Sequence, residues 1–305
     1  PCGVPRDDRR RRTGGGPAAH RPRRRFGQHF LTDESILAGI AELVTPGQGQ
    51  VALEVGPGAG ALTHHLLQRL QRLVAVEIDR DLMAELTRRY GADPRLRLLE
   101  GDVLQLDWRA LLREEGMHQL IVVGNIPYNI TAPLLFQLIA HFDIVVKGVL
   151  TVQREVARRL TAKPGSRDYG LLSVLLGTRA DVQLRMEVDR SRFRPVPRVD
   201  SAVIEIDIAP APVVSINDSR GFERLVRAAF SQRRKMLRNS LKGLFASTES
   251  SHEAVRETSA DERVQVAAER SGVDLSRRAE TLSIQEFATL SNNLFPSDAA
   301  AENAK

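Results

Sequence analysis

The chain has 305 residues, 42% of them hydrophobic and 27% charged, which suits a soluble protein of one large domain or two. No stretch approaches the ~18 apolar residues of a membrane span, and a lone cysteine, Cys2, excludes an internal disulfide and fits the reducing cytoplasm. No Cys/His cluster has zinc spacing, so no metal is expected.

The net charge of +6 is unevenly placed. Residues 1–25 hold nine Arg and two Asp, a net +7, which leaves six less seven, −1, for the rest of the chain. An Arg-rich tail with almost no large apolar residue, taken as residues 1–24, is expected to be disordered. It could hold RNA nonspecifically by counterion release, or be a solvated extension without function. It lacks the apolar core of a secretory signal, and its Asp pair and missing apolar face argue against an organelle-targeting helix.

After the tail, strands and helices alternate. Thr32 or Asp33 can cap a helix with apolar positions Ile36, Leu37, Ile40, Leu43 and Val44. Val51–Val55 reads as a strand, followed by a glycine turn and a helix through Leu62, Leu66, Leu67 and Leu70. Leu73–Val76 is a second strand ending at Glu77, with a charged helix over about 80–89. Leu96–Leu99 is a third, ending at Gly101-Asp102, and Leu120–Val123 a fourth, stopping at Gly124. Thr131 is expected to cap the next helix, with Pro133 tolerated in its first turn. Val145–Val152 and Ala202–Ile208 complete the strands. This rhythm predicts a mostly parallel sheet with helices on both faces.

A composition change at Ala209-Pro210-Ala211-Pro212 marks a boundary. Beyond it the pattern is helical over about 220–230, 232–245 and 284–294, with a flexible connection over 246–262 and a disordered end over 297–305. The domains are therefore expected at 25–210 and 211–296.

Polar residues collect at the ends of the strands, where open α/β sheets bind ligands. Gly56, Gly58 and Gly60 let a backbone approach a ligand at a helix N-terminus. Their spacing is Gly-x-Gly-x-Gly, not the Gly-x-Gly-x-x-Gly of dinucleotide binding. Glu77, 19 residues after Gly58, stands where a ribose diol is read, and Asp102 where a carboxylate can accept from an adenine amine. Each has a plain alternative, as a solvated strand end or a helix cap; together they favour a bound adenosine moiety. Asn125-Ile126-Pro127-Tyr128 closes the set. The Asn amide oxygen and a neighbouring carbonyl can accept both hydrogens of an exocyclic amine, Pro fixes the chain, and Tyr offers a stacking face. Two acceptors can draw a planar amine toward tetrahedral geometry and aim its lone pair at a sulfonium methyl.

These motifs closely resemble the ribosomal RNA adenine dimethyltransferases, specifically the bacterial small-subunit (KsgA/RsmA) family. The resemblance runs from about Arg25 to Leu294 through RRFGQHFL (24–31), EVGPGAG (54–60), NIPYNIT (125–131), FRPVPRVDSAV (193–203), FSQRRKMLRNSLK (230–242) and RAETLSIQEF (278–287). It implies a seven-stranded, Rossmann-like class I methyltransferase sheet with a small helical C-terminal domain. It implies S-adenosylmethionine as donor, S-adenosylhomocysteine as product, and dimethylation of two adjacent adenosines near the 3′ end of 16S rRNA in the small subunit or its precursor. By motif it assigns Gln28, His29, Leu31, Gly56, Glu77, Asp102 and Asn125 to the cofactor, and Asn125, Pro127 and Tyr128 to the target amine. Phe193 is expected to pack on the extruded base; read alone, it is an ordinary core aromatic. His29 departs from the family pattern, which often has Asn there, and the Arg-rich tail is not part of that pattern.

In 230–242, Arg233, Arg234, Lys235, Arg238 and Lys242 are expected to face out together toward RNA phosphates, with Met236, Leu237, Leu241 and Leu244 as a buried stripe. Three rival readings remain: an assembly factor without catalysis, a nicotinamide oxidoreductase, and a macrolide-resistance enzyme of the large subunit. The glycine spacing disfavours the second, and the C-terminal motifs disfavour the third. Nothing suggests an obligate interface, so a monomer is expected.

Overall fold

The computed structural model describes residues 28–245 and 259–296; both tails, and residues 246–258 of the expected flexible connection, lie outside them. Nine strands and eleven α-helices are described. Seven strands form one sheet: β2 (Gln50–Val55), β3 (Leu73–Glu77), β4 (Leu96–Glu100), β5 (Gln119–Asn125), β6 (Val145–Gln153), β7 (Ala180–Val188) and β9 (Ser201–Ile208). Their order is β4-β3-β2-β5-β6-β9-β7. The first five run parallel, while β9 pairs antiparallel with β6 and with β7.

The parallel strands are continuous apolar runs because helices cover both faces. Val51, Leu53 and Val55 pack with α4 (Trp108–Glu115), α5 (Thr131–Ala140) and α6 (Arg154–Leu160). Ala52, Ile121 and Val123 face α1 (Glu34–Leu43) and α2 (Ala61–Leu67). Asp33, not Thr32, caps α1, accepting from the amides of Ser35 and Ile36 at 3.1 and 3.2 Å. Thr131 is not a cap: it is the first residue of α5, and Ile130 stands at the cap position without a side-chain bond.

β5 runs on through Gly124 to Asn125, which lies opposite Thr151. A Cβ on Gly124 would sit 2.5 Å from the Val55 carbonyl, so the glycine lets two central strands approach rather than ending one. Phe30–Leu31 (β1) and Phe193–Arg194 (β8) form a separate antiparallel ribbon.

Residues beyond β9 build a helical core from α8 (Ser219–Ser231), α9 (Leu237–Ser240), α10 (Ala260–Ser271) and α11 (Ile284–Leu294). It also takes in Tyr169 and the Val174 and Leu175 of α7 (Leu171–Gly177). The single helix expected over 232–245 is broken. The amides of Leu237 and Arg238 donate to the carbonyls of Arg277 and Leu275 at 2.8 and 3.0 Å, and so cannot continue α8. Met236 is 40% exposed rather than buried, while Leu237, Leu241 and Leu244 are buried as expected. The expected connection ends early: Ser259 caps α10 in a reciprocal box with Glu262. No helix among the described residues is long and apolar enough to cross a membrane.

Candidate active site

A cavity of about 250 Å³ opens at the carboxyl ends of β2 to β5, where the sheet changes winding direction. Gln28, His29, Gly56, Gly58, Glu77, Asp102, Asn125, Pro127 and Tyr128 line it, drawn from four strand ends and the N-terminal ribbon.

Three expected residues do not line it. Leu31 is 3% exposed and packs in the core; ribbon alternation turns its neighbour Phe30 to the cavity instead. Phe193 lies opposite Leu31, is 1% exposed, and packs in the same core, so it presents no face to a base in this structure. Gly60 is set apart by packing: with φ at +82°, any Cβ there would meet the Tyr90 ring at 2.7 Å.

Ile78 and Val103 were missed, yet both line the cavity. Each follows an acid, Glu77 at the end of β3 and Asp102 two residues past the end of β4, and that repeated acid–aliphatic pair was a readable signal. Ile78 is 47% exposed, an apolar side chain at the mouth of the cavity. Ser201, also missed, is fully buried and bonds the Tyr128 hydroxyl at 2.8 Å.

Glu77 accepts from the Gly58 amide at 3.1 Å and from the Asp79 amide at 2.9 Å. Burial raises its pKa above the usual carboxylate range, and these amides offset part of that rise. Glu54, just beneath the glycine turn, is pushed up to about 8 by burial, although the Thr63 hydroxyl donates to it at 2.7 Å. Its Oε1 has no partner among the described residues. Asp102 closes a local turn by accepting from the Leu104 amide at 2.9 Å.

The target side is clamped by His29. Its carbonyl accepts from Asn125 Nδ2 at 2.7 Å, its ring stacks on Tyr128 with centroids 5.7 Å apart, and its Nδ1 lies 2.8 Å from the Pro195 carbonyl. Asn125 Oδ1 has no partner among the described residues. The Pro127 carbonyl is occupied by the Ile130 amide at 3.0 Å, which leaves the Ile126 carbonyl as the neighbouring backbone acceptor. Burial raises the Tyr128 pKa, so its phenol stays neutral.

The family model for ribosomal RNA adenine dimethylase matches residues 19–293. The chain belongs to this family. A ribosomal RNA small subunit methyltransferase A from Geobacter sulfurreducens is 42% identical over 274 residues, covering 90% of this chain and 95% of the relative. The protein of the same description from Burkholderia multivorans is 40% identical over 291 residues, 94% and 97% of the two chains. Among solved structures, a Plasmodium falciparum dimethyladenosine transferase superposes with a TM-score of 0.71 at 24% identity, covering 86% of this chain and 96% of the other. The 23S rRNA methyltransferase ErmE superposes at 0.62 and 24% identity, over 87% and 99%. These two likenesses show the dimethylase's fold.

Proposed function

We propose that this family member transfers methyl groups from S-adenosylmethionine to the exocyclic amines of two adjacent adenosines near the 3′ end of 16S rRNA. The observation that carries the chemistry is the anchored Asn125 amide. With Nδ2 held by His29, Oδ1 is the group left to accept from a target amine, and the Ile126 carbonyl is placed to accept its second hydrogen. The small-subunit target is supported by relatives at 40–43% identity over about nine-tenths of the chain, named small subunit methyltransferase A.

The cavity suits a nucleoside sulfonium. Gly56 and Gly58 leave the turn open to it, and Glu77 supplies a carboxylate for a ribose diol. Ile78 and Val103 give apolar walls for a planar base, and Asp102 an acceptor for its amine. The donor, when bound, supplies an electrophilic methyl on sulfur. The chain's own part is orientation. Asn125 Oδ1 and the Ile126 carbonyl draw the target amine out of conjugation and favour the positive charge it develops. Tyr128, fixed between His29 and Ser201, provides a rigid face for the target ring. No strong base is required, because the amine becomes acidic as the new bond forms.

An RNA partner is supported by a groove in which six arginines, Arg158, Arg159, Arg167, Arg233, Arg234 and Arg278, outnumber three acids, Glu155, Asp168 and Glu280. Arg234 and Lys235 are exposed and have no partner among the described residues. Arg238 is exposed too, its guanidinium 3.0 Å from Met236 Sδ. Methylation of purified 30S and 50S particles lacking the modification, with mapping of the modified base, tests the proposal. Transfer to 30S is expected; transfer to 50S alone would establish the large-subunit alternative, and transfer to neither would leave a binding factor.

A further inference from the structure

A second, polar pocket adjoins the target end of the cavity. Its walls include Arg154, Arg158, Arg190, Arg198, Val199 and Asp200, with Gln153 between them. Sheet register places it. Asn125 lies opposite Thr151, and Gln153, two residues further along β6, lies opposite Ser201. Two residues of strand span about 7 Å. Arg198, Val199 and Asp200 are the three residues before Ser201, the partner of the Tyr128 hydroxyl. The second pocket therefore begins where the target site ends.

Its acids are already engaged. Asp189 accepts from the Ser191 amide at 2.8 Å, and Glu155 pairs with Arg159. Asp200 accepts from the Arg190 amide at 3.2 Å and pairs with Arg154 at 3.2 Å. Two of its cations are not engaged in this way. The Arg198 guanidinium meets no partner among the described residues; that of Arg190 makes one long bond, 3.4 Å, to the Arg198 carbonyl, and its charge also acts on Asp189. Beside them Val199 is 44% exposed. Two available guanidiniums next to an exposed aliphatic side chain suit a phosphodiester and the base attached to it.

We infer that this pocket takes the nucleotide next to the target adenosine on the same RNA strand, with Arg190 and Arg198 on its phosphodiester and Val199 against its base. The inference rests on the RNA-methylating reading above. A flanking phosphate held here fixes the backbone on one side of the target, so the target base enters the cavity in one orientation.

The test is steady-state methylation of unmodified 30S particles by the R190Q/R198Q double variant. An R69Q/R88Q variant, which removes two exposed arginines outside both pockets, controls for net charge. The subsite variant should raise KM for the particle at least about tenfold, the scale of one charge-assisted bond. Its log–log salt slope should fall by roughly 0.7, the loss of one phosphate contact on single-stranded RNA. Calorimetric affinity for S-adenosylmethionine should match the parent's, which shows the fold and cavity intact. KM and slope equal to those of the charge control would make this pocket a solvated ion-pair surface and overturn the inference. A parent enzyme that transfers no methyl to the particle would instead overturn the function on which the subsite rests.

Discussion

The side-chain amide of Asn125 donates to the main-chain carbonyl of His29 at 2.7 Å, joining residues 96 positions apart. That bond sets which end of the amide meets the target. It also couples the strand end to a ring that stacks on Tyr128, so the residue just before the N-terminal ribbon orients both halves of the amine site.

Asn125→Ala should bind cofactor and particle nearly normally but transfer methyl at least ~100-fold more slowly, the scale of losing one preorganised polar group. The acceptor acts mainly as the amine becomes pyramidal and positive, so turnover falls without a matching loss of ground-state binding. Asn125→Asp keeps an acceptor oxygen but replaces the donor that holds His29, and should fall between parent and Ala. Single-turnover transfer at saturating cofactor and particle is the measurement. An Ala variant as fast as the parent would reduce this strand end to a structural turn.

Glu77→Ala should weaken S-adenosylmethionine binding by about 1.5–3 kcal/mol, as expected for loss of a charge-assisted bond. It also frees the Gly58 and Asp79 amides, so the turn that borders the cavity loses a brace. Calorimetry on a variant with native circular dichroism checks this, and unchanged affinity would remove Glu77 from the site.

Glu54 predicts a pH dependence of stability in the cofactor-free protein. Its folded pKa of about 8 lies above the ordinary 4.5, so the folded state keeps a proton that the unfolded state loses between those values. The associated stability is fully present below about pH 4.5 and is lost as pH rises through about 8. Thermal midpoints should therefore fall for the parent between roughly pH 4.5 and 8 and level off above that. In Glu54→Gln, which stays neutral and can still accept from Thr63, that part of the fall should disappear. Parallel profiles for the two proteins would show that Glu54 does not titrate in this window.

The basic segment divides on geometry that spacing did not reveal. The Arg233 guanidinium donates to the carbonyls of Arg167 and Tyr169 at 2.6 and 3.0 Å, so it ties the segment to the loop before α7. Arg234→Glu with Lys235→Glu should flatten the salt dependence of particle binding by roughly 0.7–0.9 in log–log slope per lost phosphate contact and leave the melting temperature unchanged. Arg233→Ala should in addition cost about 0.5–1.5 kcal/mol of stability by removing the bonds to these exposed and half-buried carbonyls. Equal melting temperatures for all three proteins would mean that Arg233 is a solvated cation like its neighbours.

The central sheet was legible because strands covered on both faces must be apolar throughout, as Leu120–Val123 are. β7 was not, because an edge strand carrying Gln183, Arg185 and Glu187 lacks that run. The strand-end acids could be placed by counting along the chain. Leu31 and Phe30 could not be told apart, since one step of alternation decides which of them faces the cavity, and the ribbon's register with β8 sets that step. The broken helix near Lys235 depends on carbonyls some forty residues away, which local periodicity does not contain.

The two inner glycines of the turn should fail differently when a methyl is added. Both have positive φ, +61° at Gly58 and +82° at Gly60, so alanine costs about 1–2 kcal/mol of backbone strain at either position. The collisions separate them. A Cβ at Gly58 lies 2.8 Å from the Phe30 ring, which lines the cavity, so the ring must shift at the cofactor site. A Cβ at Gly60 lies 2.7 Å from Tyr90 and 3.0 Å from Leu86, both on α3 (Arg80–Tyr90), and disturbs the bond from the Tyr90 hydroxyl to the Gly60 carbonyl. Gly60→Ala should therefore show the larger loss of melting temperature without cofactor. Gly58→Ala should show the larger loss of S-adenosylmethionine affinity relative to its change in stability. Thermal unfolding and calorimetry on both variants decide it. If both lose affinity and stability in the same proportion, Gly60 belongs to the ligand surface after all, and the division between a cavity glycine and a packing glycine is wrong.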